Sequence, residues 1–98
     1  VATSLANLGS LYVKKKEHYR ARALLVEALE IRRASLPADH PDIASSLQLL
    51  GELHQERGEV TAALAHFQEA VDIRRKSLPL GHPDIAISLN SLALAHYT

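Results

Sequence analysis

A histidine, a proline and an aspartate recur in the same order at two places in this chain. SLPADHPDIA begins at residue 35, and SLPLGHPDIA begins at residue 77. An imidazole two residues from a carboxylate is a combination that serves in general acid–base catalysis and in metal binding. His40 with Asp42, and His82 with Asp84, are therefore the first candidates for two copies of a chemical site.

The chain lacks a complete set of residues for catalysis and for metal binding. No two histidines stand four apart, and the chain has no cysteine. His40 and His82 would lie on neighbouring loops roughly 10 Å apart, the spacing of packed helices, whereas zinc–nitrogen bonds are about 2 Å long. The serines recur at fixed positions, so they belong to the repeat pattern and not to a catalytic site. The sequence has no glycine-rich loop that could bind a phosphate. We expect no enzyme activity, no metal and no cofactor.

Composition limits the partners that this chain can have. Eleven basic and eleven acidic residues cancel among 98 residues, which suit a single domain. No net field attracts nucleic acid or an anionic membrane, and no apolar run is long enough to cross a bilayer. The lack of cysteine fits a reducing compartment, so we expect a cytoplasmic location. Because the chain begins with Val1 and not Met, we expect a fragment of a longer protein.

The sequence repeats itself with a period of 42 residues. Shifting it by that length aligns residues 1–42 with residues 43–84, and 20 of the 42 positions are identical. A third copy begins at Ile85 and includes only the first helix of the unit. Self-similarity at a fixed period indicates a repeat architecture. The predicted organisation is repeat 1 at 1–42, repeat 2 at 43–84 and a partial repeat 3 at 85–98.

Within each copy the apolar residues follow a helical period. Val1, Leu5, Leu8 and Tyr12 form one stripe of an amphipathic helix A, and a second stripe begins at Ala21 in helix B. A short break separates the two helices, so each copy is a helical hairpin. The prediction is an all-α chain with helices at 1–15, 18–36, 41–57, 60–78 and 83–98.

The repeated His-Pro-Asp motif stands where one hairpin joins the next. A proline disfavours helix at the residue before it, so helix B ends near Leu36 and near Leu78. Pro41 suits the first position of the following helix, which makes His40 the N-cap residue, and Asp42 lies where the helix dipole favours a carboxylate. The motif is therefore predicted to end one helix and start another. At the end of helix B, the paired arginines are predicted to complement the helix dipole.

The turn from helix A to helix B differs between the two copies. Gly58 can take a left-handed conformation without steric cost, but Lys16 has the same position in the first copy. We expect strain at Lys16 and a looser first turn.

The residue pattern resembles the tetratricopeptide repeat family. The matching positions are Leu5, Leu8, Gly9, Tyr12, Ala21, Leu25 and Ala28, then Leu47, Leu50, Gly51, Ala63, Phe67 and Ala70. The familiar unit has 34 residues. The longer period, with SLxxLGxLY, EALEIRR and the linking HPD, is similar to the repeats of kinesin light chains. The resemblance implies tandem antiparallel hairpins in a right-handed superhelix, an α-solenoid. His54 and His96 replace the usual tyrosine, and half-buried packing is expected for both.

The same resemblance implies a concave groove, lined by the A helices, that binds an extended peptide of another protein. The groove positions carried over by register are Asn7, Ser10, Lys14, Ser45, Gln48, Leu49, Glu52, Glu56, Asn90, Ser91 and Leu94, together with Thr3, Ala6, Val13, Gln55, Ile87 and Tyr97. Asn7, Gln48 and Asn90 offer both a donor and an acceptor to a peptide backbone.

The distribution of charge favours one polarity of ligand. Repeat 1 has seven basic and five acidic residues, and repeat 2 has four basic and six acidic residues. Lys14 is opposed by Glu52 and Glu56 in the groove. We therefore expect an acidic ligand to fit poorly and a ligand with a basic segment toward repeat 2 to fit better.

An alternative function is self-association. The last helix has apolar residues on the side that a further helix B would cover, and an uncovered end of a repeat array favours assembly. The residues are Leu89, Leu92, Ala93 and His96. On this alternative the chain is an assembly module that forms a homodimer through its terminal helices. The scaffold and the assembly module both remain open at this stage.

Overall fold

A computed structural model describes residues 1–96 of the protein. This part of the chain contains five helices and no strand, which confirms the prediction of an all-α fold. The helices are α1 (Ala2–Lys14), α2 (His18–Ser35), α3 (Pro41–Glu56), α4 (Val60–Ser77) and α5 (Pro83–His96). The first four end one residue earlier than predicted, because the C-cap residue had been counted as helical. The predicted end of the fifth lies outside the described residues.

The His-Pro-Asp motifs start α3 and α5 as predicted. His40 is in the extended conformation, and its Nδ1 accepts a hydrogen bond from the backbone N–H of Asp42 at 3.0 Å. His82 Nδ1 accepts the equivalent bond from Asp84 at 3.0 Å. Each imidazole therefore satisfies one of the amide groups that the first turn of a helix leaves without a partner. These histidines are helix caps.

The two turns within the hairpins have the same geometry. Lys16 has φ +64° and Gly58 has φ +75°, both in the left-handed region. The amide nitrogens of Glu17 and Glu59 donate to carbonyl oxygens five residues earlier, at 2.9 and 2.8 Å, as in a Schellman motif. The expectation of a looser first turn is therefore wrong. The strain expected at Lys16 is present, because a side chain occupies a conformation that suits glycine.

The helices pack so that the A helices lie closer together than the B helices. Backbone contacts join α1 with α3 and α3 with α5, whereas α2 and α4 make none with each other. This spacing curves the row of hairpins and puts α1, α3 and α5 on the inner face. The main core cluster surrounds α3, and its largest fully buried side chains include Leu25, Ile43, Leu47 and Leu53.

A close approach of the two helices in each hairpin requires glycine. A Cβ atom added to Gly51 would lie 2.5 Å from the Phe67 ring, and one added to Gly9 would lie 2.8 Å from the Leu25 side chain. Atoms cannot approach this closely without displacement of the neighbouring helix. The same position in α5 is Ala93, which is exposed.

A buried arginine links the first hairpin to α3. Arg32 is only 7% exposed. Its Nη1 donates to Ser46 Oγ at 2.8 Å and to the backbone carbonyl of Asp42 at 3.0 Å, and its Nη2 donates to Thr3 Oγ1 at 3.3 Å. A charge removed from water is tolerated when its donors are paired in this way. The guanidinium therefore ties α2 to the first turn of α3.

The second joint repeats this arrangement. Arg74 is 6% exposed and donates to Ser88 Oγ at 2.6 Å and to the carbonyl of Asp84 at 3.1 Å. Burial lowers the pKa of the Arg74 guanidinium from its ordinary value, and the Asp84 carboxylate acts in the opposite direction. The guanidinium nevertheless remains protonated, as arginine does in proteins. The sequence predicted that these arginines complement the dipole at a helix end. That prediction is incomplete, because Arg32 and Arg74 also bind the next helix.

We expect Lys16→Gly to raise the free energy of unfolding by about 1 kcal/mol, because glycine removes the cost of the left-handed conformation. The exposed Lys16–Glu56 ion pair that this change removes contributes little. Thermal unfolding followed by circular dichroism should show a melting temperature several degrees higher. The matched control is Gly58→Ala, which should lower it. A melting temperature that falls for Lys16→Gly would contradict the assignment of strain.

We expect Arg74→Ala to cost about 2–3 kcal/mol in urea unfolding, because it leaves the Ser88 hydroxyl and the Asp84 carbonyl without their donor. Arg75 is the control, since it is adjacent, carries the same charge and is exposed. Arg75→Ala should change stability by no more than about 0.5 kcal/mol. Equal losses for the two variants would mean that only charge is involved.

Candidate functional site

A cavity lies between the C-terminal ends of α1 and α3 on the inner face. Its volume is about 360 Å³, and it is lined by Val13, Lys14, Lys16, Glu52, Gln55 and Glu56. Val13, Lys14, Glu52, Gln55 and Glu56 are all predicted groove residues. The structure therefore brings together predicted residues from two different repeats. Lys16, from the turn, was not among those predicted.

Charges of both signs face each other across this cavity. Lys16 Nζ lies 3.0 Å from Glu56 Oε2, with both side chains largely exposed. Glu52 accepts a hydrogen bond from Gln48 Nε2 at 3.2 Å. Lys14 makes no ion pair with any residue in the described part of the chain. The cavity thus offers one unpaired ammonium group and two carboxylates, of which one is already bound to a lysine.

Gln48 is placed differently from the other predicted groove residues. It is only 5% exposed, and its Nε2 donates to Ser91 Oγ at 2.8 Å while its Oε1 accepts from Ser88 Oγ at 3.2 Å. Ser88 is also the acceptor of the Arg74 guanidinium. A continuous hydrogen-bonded chain therefore runs from α4 through α5 to α3. Both ends of the Gln48 amide are used within the protein, so its role is to hold α3 and α5 together.

The remaining predicted residues lie on the inner helices without lining the cavity. Asn7, Asn90 and Leu94 are exposed, whereas Ser10, Ser45, Leu49 and Ser91 are half-buried. Among the other predicted groove positions, Thr3 and Ile87 are exposed, Ala6 is buried, and Tyr97 lies outside the described residues. The exposed amides of Asn7 and Asn90 are at either end of the row of helices.

The residues predicted for self-association separate into two groups. Leu89, Ala93 and His96 are exposed on α5, and Leu89 is 38% exposed where its equivalent Leu47 is fully buried. Leu92 instead packs against the cluster formed by α4 and Ala95. The expectation of half-buried packing holds for His54 but not for His96, because no helix covers this side of α5 in the described residues.

A pair of stacked histidines, His54 of α3 and His66 of α4, joins the two helices of the second hairpin. The rings of His54 and His66 stack with centroids 5.1 Å apart, and His54 Nδ1 lies 2.8 Å from Glu59 Oε1. Burial lowers the pKa of His66, and the neighbouring His54 lowers it further. The hydrogen bond with His54 lowers the pKa of Glu59. The 42-residue period did not predict this pair, since His66 corresponds to Leu24 in the first repeat.

The part of the chain that the structure describes has no group of three histidine, aspartate or glutamate side chains arranged for a metal ion. Within the same residues, no helix combines the length and the apolar character needed to cross a membrane.

The antiparallel hairpins, repeated in one register and joined by equivalent arginines, define a helical-repeat protein. The family model of the tetratricopeptide repeat matches residues 1–76, which include α1, α2, α3 and most of α4. The chain therefore belongs to the tetratricopeptide repeat family. No curated protein matches the chain.

We expect the protein to lose stability through His66 as the pH falls from about 7 to values below 6.5. The pKa of His66 lies below its ordinary value of 6.5, so the unfolded chain binds the proton first as the pH falls. Stability that is present above about pH 6.5 is therefore lost below it. Of the other groups that act on His66, Glu69 raises its pKa and Arg33 lowers it.

Urea unfolding at a series of pH values measures this dependence. His66→Gln should flatten the curve across the stated range, whereas the control His96→Gln, at an exposed position, should leave it unchanged. A steep curve that persists in His66→Gln would assign the dependence to other groups.

Proposed function

We propose that this chain is a protein–protein interaction scaffold that binds an extended peptide segment along its inner face. Tetratricopeptide repeats generally mediate interactions between proteins, and the chain belongs to that family. The observation that carries the proposal is the cavity between α1 and α3, where Lys14 of one repeat faces Glu52 and Glu56 of the next. Ligand sites are usually concave, and the polar or charged groups within them fix the orientation of the ligand.

The proposed contacts follow from the exposure of each residue. Asn7 and Asn90 are exposed and can pair with a peptide backbone as donor and acceptor. Gln48 acts indirectly, because its amide holds Ser91 in place. The other proposed peptide contacts on this face are Ser10, Ser45, Leu49 and Leu94.

The ligand is proposed to bring a basic segment to α3. Glu52 has no ion pair with any described residue, and Glu56 has only an exposed one with Lys16. An exposed ion pair contributes little free energy, so a basic side chain of a ligand can displace Lys16. Lys14 at the same cavity disfavours an array of cations but not a single lysine or arginine.

The repeat subtype is also part of the proposal. The bounds of α4 are those of α2 shifted by 42 residues, which supports units at 1–42 and 43–84, followed by helix A of a third unit at 85–98. This period and the HPD link are similar to those of kinesin light chains. We propose a non-enzymatic protein of this long-period subtype. The lack of cysteine supports a cytoplasmic location.

A second candidate function is assembly into a homodimer through the terminal helices. Two observations favour it: Leu89, Ala93 and His96 form an uncovered stripe on α5, and Ile87 and Leu94 on the same helix are 51% and 55% exposed. A helix that is apolar on several sides is usually covered by other elements. Leu92 contributes to this candidate indirectly, because it packs α5 against α4 and so holds the exposed stripe in place.

We expect the double variant Glu52→Gln with Glu56→Gln to weaken the binding of lysine-containing peptides. The probe is an array of short peptides in three classes, which contain lysine, glutamate or neither. Loss of both carboxylates should reduce affinity for the lysine class about tenfold, equivalent to about 1.4 kcal/mol. The control is Glu27→Gln with Glu30→Gln, which changes the charge equally at exposed positions on α2. Unchanged affinity in the groove variant would overturn the proposed polarity.

Two further variants separate the scaffold from the assembly module. Asn7→Ala with Asn90→Ala should weaken all classes of peptide that bind, while Leu89→Glu should leave peptide binding intact. Sedimentation equilibrium of the wild type and of Leu89→Glu measures self-association. A wild-type dimer that Leu89→Glu dissociates, together with no peptide binding in any class, would replace the scaffold by the assembly module.

A further inference from the structure

Basic and aromatic side chains cluster at the turn between α1 and α2, outside the inner-face cavity. We call this surface the turn patch and define it by Tyr12, Lys15, Tyr19, Arg20 and Arg57. Its arginine and tyrosine side chains are already in contact. The Arg20 guanidinium lies over the Tyr12 ring at 5.9 Å from the centroid, and the Arg57 guanidinium lies over the Tyr19 ring at 5.6 Å. The second of these contacts joins the two repeats.

These contacts hold the guanidinium groups in place without using their hydrogen-bond donors. A guanidinium stacks through its face, and its N–H groups lie in its plane. Stacking on a ring therefore reduces the side-chain entropy that would be lost when the donors bind a ligand. Arg20 and Arg57 belong to different repeats, so a ligand that binds both would span the joint between the repeats.

The turn patch has three cations, Lys15, Arg20 and Arg57, beside two carboxylates, Glu17 and Glu59, and the chain around the first turn is more basic than the equivalent segment of the second repeat. Residues 12–22 contain five basic residues and one acidic residue, whereas the equivalent residues 54–64 contain one basic and two acidic residues. The ion pair of Arg20 with Glu17, at 3.3 Å, is largely exposed, and the pair of Arg57 with Glu59, at 3.7 Å, is partly exposed. Such pairs contribute little, so the arginines can exchange them for a ligand's carboxylates. Lys15 makes no ion pair with the other described residues.

The patch contains a largely exposed aromatic side chain. Tyr19 is 84% exposed, the highest value for any aromatic residue among the exposed large side chains of the described chain. A cavity of about 250 Å³ lies beside it, lined in part by Lys16 and Arg20. Tyrosine and arginine are the residue types that are enriched at the energetic centres of protein interfaces. The combination of charge, exposed ring and cavity is that of a docking surface for another protein.

We propose that the turn patch binds an acidic segment of a partner protein. Aspartate or glutamate carboxylates of the segment accept hydrogen bonds from Arg20 and Arg57, Lys15 adds attraction, and Tyr19 packs against the backbone or an apolar side chain. Glu17 and Glu59 stand at the same surface and repel the continuous phosphate backbone of a nucleic acid, so an acidic peptide is the better match. The proposal does not depend on the inner-face cavity, which favours the opposite charge.

The probe is a fluorescently labelled peptide of about six alternating glutamate and glycine pairs, long enough to reach both arginines. Its affinity is measured by anisotropy at low and at physiological ionic strength. The wild type should bind it, and Arg20→Gln with Arg57→Gln should weaken binding about tenfold or more. Tyr19→Ala should also weaken it. Circular dichroism establishes that each variant is folded.

The matched control is Arg75→Gln with Lys76→Gln, which removes the same charge from exposed residues at the end of α4. This variant should keep the wild-type affinity. Equal losses in both double variants would show attraction by net charge alone and overturn the proposal, as would the absence of binding by the wild type. A single-stranded oligonucleotide of comparable length that binds as tightly as the peptide would also overturn it, in favour of a nucleic-acid surface.

Discussion

The joint between hairpins depends on a single buried guanidinium. Burying a charge costs several kcal/mol unless its donors are paired, and Arg32 and Arg74 meet this condition with a serine hydroxyl and a carbonyl from the first turn of the next helix. Those acceptors exist in that place only because the His-Pro-Asp motif starts the helix there. The rotation of each hairpin relative to the next is therefore tied to the motif, and with it the spacing of the inner helices.

Element boundaries could be predicted closely because their signals are local. A proline and a capping histidine act on neighbouring residues, and α3 and α5 start where those signals stand, while Gly58 marks the end of α3. The buried arginines were missed because a cation at the end of a helix is ordinarily exposed and favours the dipole. One signal in the sequence could have revealed them: Arg32 and Ser46 recur one period later as Arg74 and Ser88, at the same separation of 14 residues. A cation and a hydroxyl that recur at one spacing indicate a contact.

The sequence predicted which residues lie on the inner side of the helices, but not how deeply each side chain is buried. The resemblance to the repeat family assigns Lys14, Glu52 and Glu56 to the inner side of their helices, and the cavity contains all three. It cannot show how closely neighbouring helices approach, and this distance decides whether a polar side chain reaches solvent. Gln48 is buried because α5 packs against it through Ser88 and Ser91. In the first repeat Ala6 has that position, and Arg32 extends to Thr3 instead.

The two proposed surfaces are connected through Lys16. Its ammonium group pairs with Glu56 at the inner-face cavity, while its backbone forms the turn beside Tyr19 and Arg20. A basic ligand residue that binds Glu56 releases Lys16, which adds a positive charge to the turn. An acidic segment at the turn patch attracts Lys16 away from Glu56 and leaves that carboxylate available. On the two proposals above, each ligand would favour the binding of the other by a small amount, because the Lys16–Glu56 pair is exposed, and linkage requires the two effects to be equal in free energy. A single partner with a basic segment followed by an acidic one would use both surfaces at once.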